Sequence, residues 1–200
     1  TAASDGGWYG TNDFRENVVK GLQLHKGEML FFEIVGYVHD NVPIMPHHDV
    51  AKTGLKDIQK QFGDSICYTY SCPEGEHRMY VYKILNVNQD GIVRELSWPQ
   101  VTARCAELGL VHVPLLAGPK TLGELGYQFQ CEPREALRKT VELLTEGAST
   151  LNPAQIREGV VVRVESKQGT QHIKNKSFVF GVLEGYKKLD EGYVDLEEIS

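Results

Sequence analysis

The chain has 200 residues, 41% of them hydrophobic and 24% charged, an ordinary balance for a globular protein with its own core. No apolar run approaches the ~20 residues that a membrane-crossing helix needs, and no basic-then-apolar leader opens the chain. A net charge of −6 excludes a uniformly basic surface of the kind that coats nucleic acid.

The first twenty residues are polar and Gly-rich and predict a loop, then a short helix over 13–20. Residues 28–38 are dense in aromatic and β-branched side chains and predict a buried strand. Pro43 and Pro46 predict a loop over 41–49. The spacing of Leu55, Ile58 and Phe62 predicts a helix over 50–62. Strands are expected over 66–70 and 79–87, joined by the turn Cys72-Pro73-Glu74-Gly75. In the second of them Tyr80, Tyr82 and Ile84 alternate against Val81 and Leu85.

The turn Gln89-Asp90-Gly91 leads to a strand over 92–96. Ser97 is placed to cap a helix that carries Pro99 early and runs to Leu108. A short strand follows over 111–115. Pro133 opens a helix whose apolar stripe is Leu137, Val141, Leu144 and Ala148, with Gly147 at its end. A valine-rich strand over 160–164, a turn at Gln168-Gly169 and a strand over 172–176 predict a hairpin. A helix over 178–188 and the segment 193–199 close the chain. Mixed strands and helices without βαβ regularity point to an α+β fold of antiparallel sheets with flanking helices.

Charge is unevenly spread. Residues 157–188 hold seven Lys and Arg against three Glu, a net of +4, which leaves −10 for the rest of the chain. That asymmetry points the C-terminal part toward an anion, although a solvated charged face has the same composition. The cysteines Cys67, Cys72, Cys105 and Cys131 lack the paired spacing of a zinc ribbon and read as reduced thiols. Cys67 and Cys72, five apart with His77 beyond, offer part of a metal site, but no second ligand pair follows at the usual spacing. His47 and His48 are adjacent and point in different directions, and His112 reads as a structural histidine.

Three segments carry the chemistry. Glu33 stands inside the apolar run Phe31-Phe32-Glu33-Ile34-Val35-Gly36, where a buried carboxylate needs a partner or a ligand. Glu158 begins the valine-rich strand, and Gly159 beside it permits close backbone approach. Lys174 and Lys176, two apart on a strand, share a face. Two ammonium groups on one face repel unless an anion such as phosphate lies between them. A lysine pair of this kind is also common on solvated edge strands.

Taken in this order, these segments resemble the covalent nucleotidyltransferases: ATP-dependent DNA and RNA ligases and mRNA capping enzymes. Phe32-Glu33-Ile34-Val35-Gly36 is similar to that family's acidic third motif, and Tyr80-Val81-Tyr82-Lys83-Ile84-Leu85 to its base-stacking strand. Glu158-Gly159-Val160-Val161-Val162-Arg163 resembles the fourth motif, and Lys174-Asn175-Lys176 the fifth. The tail, from Ser177 through Val182-Leu183-Glu184-Gly185 to Tyr193-Val194-Asp195-Leu196-Glu197-Glu198, is most like RNA ligases. Lys83 stands where the family usually has Asp, and Arg163 where lysine is common.

The resemblance implies a single nucleotidyltransferase domain over 1–200, ATP-grasp-like in architecture. It implies an ATP-dependent RNA ligase that joins 5′-phosphate and 3′-hydroxyl ends, at RNA ends or a nicked duplex, through lysyl-AMP and an adenylylated end. It also implies repair as the setting, the cytoplasm as the place, no membrane and a monomer.

In that scheme Glu158 serves Mg²⁺ or Mn²⁺, and Lys174 and Lys176 neutralise the α-phosphate. Tyr82 stacks on adenine, Glu33 binds the ribose and Val161 closes the base pocket. The family's nucleophilic lysine motif has no match here, since Lys20-Gly21 and Lys26-Gly27 have the wrong spacing. The chain begins at Thr1, so that segment is expected upstream; a diverged, inactive protein is the other reading. Little chain follows the last helix, which favours RNA ligase over a DNA ligase with its C-terminal OB domain. A non-catalytic nucleotide- or RNA-binding module is the remaining alternative.

Overall fold

The computed structural model describes residues 9–188. In chain order the elements are α1 (Asp13–Val19), β1 (Glu28–His39), β2 (Val42–Pro43), β3 (His47–Asp49), α2 (Lys56–Phe62), β4 (Ser65–Cys67), β5 (His77–Val87) and β6 (Val93–Glu95). They continue with α3 (Trp98–Leu108), β7 (Val111–His112), α4 (Leu122–Phe129), α5 (Pro133–Thr145), β8 (Gly159–Ser166), β9 (Gly169–Lys176) and α6 (Phe178–Leu183). Helices mix with largely antiparallel sheets, the α+β class that the sequence implied. The motif-like tail 193–198 lies outside the described residues.

These elements form two compact units. One comprises residues 9–47, 67–113 and 165–170; the other comprises 48–66, 114–164 and 171–188. The first unit is built on a five-stranded sheet in the order β2-β1-β5-β6, with β7 added parallel to β5. Its core sets Val81, Ile84, Val101 and Cys105 against Leu30, Phe32, Leu96, Trp98 and Leu110.

Strict alternation along β5 would put Val81 and Ile84 on opposite faces. The structure breaks it with a β-bulge. Phe31 pairs with Lys83, but the next residue, Phe32, pairs with Val81, so Tyr82 is the extra residue. A bulge re-aims the side chains around it. Here it lets Val81 and Ile84 both face the core.

The predicted 50–62 helix is two pieces, a 3₁₀ turn at Ala51–Thr53 and then α2, because Gly54 turns left-handed at φ 77°. The strand expected over 66–70 shortens to β4, since Tyr70 and Ser71 take positive φ. The 41–49 loop contains β2 and β3. Pro43 is tolerated because β2 is an edge strand with no ladder bond to donate on its outer side.

In the second unit α4 and α5 pack as a helical pair. Sequence reading passed over α4, yet Thr121 and Glu124 form a capping box at its start. The expected capping of α3 by Ser97 is present, with Gln100 completing the box. Helix α6 ends at Leu183, short of the predicted 188, and Gly185 (φ 77°) follows in the reversal. From α5 the chain folds back through an Ala148–Ile156 bridge into β8, which pairs with β9 as the predicted hairpin.

The buried carboxylate of the first unit is Glu28. It receives hydrogen bonds from Arg104 Nε and Nη2 at 2.8 and 2.9 Å and from the His25 backbone at 2.9 Å. The Arg104 hydrogen bond holds its carboxyl below the ordinary 4.5, against the opposing pull of burial. A depressed carboxyl stabilises the fold above pH ~4.5 and loses that contribution as pH falls through its folded value. Glu28→Gln is therefore expected to lower stability at pH 7 by roughly 1.5–3 kcal/mol and to flatten the acid limb of a Tm-against-pH curve. An unchanged acid limb would contradict this assignment.

Candidate nucleotide-binding site

On the first unit, β1 and β5 display a mixed polar and aromatic face opposite the core. Leu30 and Phe32 pack inward, so Phe31 and Glu33 point to the other side. Glu33 was expected to be buried, but it is exposed. The desolvation cost inferred for it does not exist, and its carboxylate is open to solvent.

The Phe31 and Tyr82 rings lie 6.4 Å apart at 57°, within the range of favourable aromatic pairs. Partial burial raises the Tyr82 phenol above its ordinary value, and the Glu33 charge adds to the effect. The phenol therefore stays neutral and able to donate. Lys83, which departs from the family pattern, has a structural role: its ammonium lies 3.8 Å from Glu95 and 5.1 Å over the Phe31 ring.

The β8–β9 hairpin carries the remaining candidates, all on its residues 158–164 and 171–176, which belong to the second unit. Its tip loop is Lys167-Gln168, and at its open end the Ser177 N–H donates to the Glu158 carbonyl at 2.8 Å. β8 and β9 pair along the hairpin as a two-stranded sheet. Gly159 has φ 146°, and a Cβ there would meet the Asn175 carbonyl oxygen and lie 2.7 Å from the Lys176 Cα. Only glycine fits this crossing.

Lys174, Lys176 and Val161 are all exposed on the hairpin. Glu158 lies one residue before β8, not within it, and is half-buried beside the end of the lysine strand. The hairpin thus carries both lysines on β9 and Val161 on β8, with Glu158 one residue before β8.

The segment that follows the lysines is fixed by the end of α5. Ser177 Oγ donates to Glu146 Oε2 at 2.7 Å, and the Phe178 N–H donates to Oε1 at 2.6 Å. Asn175 Nδ2 donates to Thr145 Oγ1 at 2.6 Å. The Arg157 guanidinium in turn binds the Leu144, Glu146 and Ala148 carbonyls, satisfying the orphan acceptors at that helix end.

Sequence reading missed Glu146 altogether. One signal was available: an acid just past a helix C-terminus opposes the macrodipole by ~0.3–1 kcal/mol, so it calls for a compensating donor. That donor is the start of α6.

Other polar groups are accounted for differently. His48 is buried, with Nε2 3.2 Å from Glu184 Oε1 and its ring near Phe180. His112 Nδ1 sits 2.8 Å from its neighbour's carbonyl, at Val113, and its ring meets Trp98 edge-on. None of the four cysteines is in a disulfide, and burial pushes the Cys67, Cys72 and Cys105 thiols up. Among the described residues no three acidic, His or Cys side chains cluster as a metal site, and no helix is long and apolar enough to cross a membrane.

A family model described as RNA ligase matches residues 8–180. The chain belongs to the RNA ligase family. No curated protein and no solved structure matches it significantly. The matched span contains the β1, β5 and β8–β9 segments that carry the motif-like residues of this RNA ligase family member, together with the Glu146 clamp.

Gly159→Ala is expected to cost ~1–3 kcal/mol of the second unit's stability, because both φ and the Asn175 crossing reject a side chain. Chemical denaturation reads it. A wild-type midpoint would show that the hairpin relaxes freely at this point.

Proposed function

We propose that this protein seals RNA ends by adenylate chemistry, joining a 5′-phosphate to a 3′-hydroxyl with ATP as the energy source. The observation that carries the reading is the hairpin: two exposed lysines two apart on β9, in a chain of the RNA ligase family. Two ammonium groups that project from one strand neutralise a phosphate that lies between them.

Every step of such chemistry is substitution at phosphorus: a lysine displaces pyrophosphate from ATP, the RNA 5′-phosphate displaces that lysine from AMP, and the 3′-hydroxyl displaces AMP from the adenylylated end. Alignment and charge neutralisation supply most of the rate. Lys174 and Lys176 would hold the adenylate phosphate while the leaving group departs. Taken unit by unit, Tyr82 and Glu33 on the first would suit a base and a ribose hydroxyl, and Val161 on the second would offer an apolar surface. The donor set fits Mg²⁺ or Mn²⁺ only sparsely: Glu158 would supply one carboxylate, with water and phosphate oxygens completing the shell, as Mg²⁺ prefers. When bound, the metal adds positive charge at the transferring phosphorus. RNA ends or a nicked duplex are the proposed partners, and repair the proposed setting.

The final step tests the site without the nucleophilic lysine. The 200-residue chain, given a 5′-adenylylated RNA beside a 3′-hydroxyl strand on a complementary splint, with Mg²⁺ and no ATP, is expected to join them and release AMP. Lys174→Ala and Lys176→Ala should slow single-turnover joining by ~10²- to 10³-fold, and Glu158→Ala should act similarly. Wild-type rates in all three variants would remove the site, and joining of DNA in preference to RNA would move the substrate assignment. Absence of joining by the wild-type chain, with adenylate still bound, would favour a binding module.

A further inference from the structure

Lys176 faces a gap in its own ladder. Its cross-strand neighbour is Gly159, which has no side chain to support the lysine stem. An exposed lysine in that position samples many rotamers, and ordering it at a phosphate costs conformational entropy. A side wall comes from elsewhere in the same unit. The Lys176 Nζ lies 4.9 Å from the centroid of the Tyr186 ring, within cation–π range.

The ring is itself held in place. After α6 the chain reverses, and the Tyr186 and Lys187 N–H groups both donate to the Gly181 carbonyl, at 3.2 and 3.1 Å. Tyr186 then packs against the α6 backbone. A Cβ on Gly181 would lie 3.0 Å from Tyr186 Cε2 and from the Lys187 stem. Tyr186 remains 47% exposed, so little of the fold's stability depends on it.

From this geometry we infer that Tyr186 is a positioning residue for Lys176. Its π-face holds the ammonium at the hairpin's open end and leaves the remaining N–H donors for a phosphate. The inference rests on the reading of Lys176 as an adenylate-phosphate contact and adds to it a residue that no motif in the sequence marks.

A double-mutant cycle tests it, using single-turnover sealing of 5′-adenylylated RNA by the whole chain. Tyr186→Leu is expected to slow sealing roughly three- to ten-fold, the span of an exposed to partly desolvated cation–π contact. Tyr186→Phe, which keeps the ring, should stay near wild type. In a Lys176→Ala background the Tyr186→Leu loss should vanish. A loss of the same size in both backgrounds, or an unaffected Tyr186→Leu, overturns the inference while leaving Lys176 in its role. An unaffected Lys176→Ala overturns the reading of Lys176 as a phosphate contact.

A second measurement is independent of activity. Ring current from Tyr186 should shift the Lys176 Cε protons upfield in ¹H–¹³C spectra, and the shift should persist in Tyr186→Phe and disappear in Tyr186→Leu. Random-coil shifts in the wild-type chain would overturn the contact.

Discussion

The Glu146 carboxylate, accepting from Ser177 Oγ and the Phe178 N–H, is the contact on which the candidate phosphate-binding strand depends. Both acceptor oxygens are engaged, and Ser177 is fully buried. Charge-assisted bonds of this length are about twice as strong as neutral ones. They fix the junction between β9 and α6 directly after Lys176. The Asn175–Thr145 bond does the same between the two lysines. Lysines that project from a strand pinned at this point have a defined origin, whatever freedom remains in their side chains.

The clamp also explains how a chain of net charge −6 can offer a site to a polyanion. The cationic residues concentrate in the stretch that forms the hairpin and α6. Arg157 is spent internally on the α5 carbonyls. Lys174 and Lys176 remain exposed, and the Tyr186 ring approaches the second of them. Opposite charges elsewhere are neutralised locally, as in Glu28–Arg104 and Lys83–Glu95.

Much of this was legible in the sequence because the period and the punctuation were strong. The Gln168-Gly169 turn between two β-rich runs gave the hairpin, and Ser97 with Pro99 gave the start of α3. The lysine pair was legible because a strand's period of two puts residues 174 and 176 on one face.

What escaped was long-range or backbone-specific. The bulge at Tyr82 depends on the pairing of two distant strands, which no local pattern encodes. Glu33 looked buried because its neighbours are apolar, yet its face of the sheet is open. The true buried carboxylate, Glu28, sits at the polar edge of the same run, and its partner Arg104 is 76 residues away. Gly54 and the positive φ at Tyr70 and Ser71 cut elements that periodicity alone would have prolonged. Tyr186 lies in a stretch read as helix, where its ring would have had no reason to reach Lys176.

The central claim is that the open end of the hairpin is a phosphate site. Titrating AMP into the chain and following the lysine side chains by NMR tests it most directly. The account predicts saturable shifts at Lys174 and Lys176 that adenosine, which lacks the phosphate, does not reproduce. Equal responses to AMP and adenosine, or AMP shifts confined to other lysines, would contradict it.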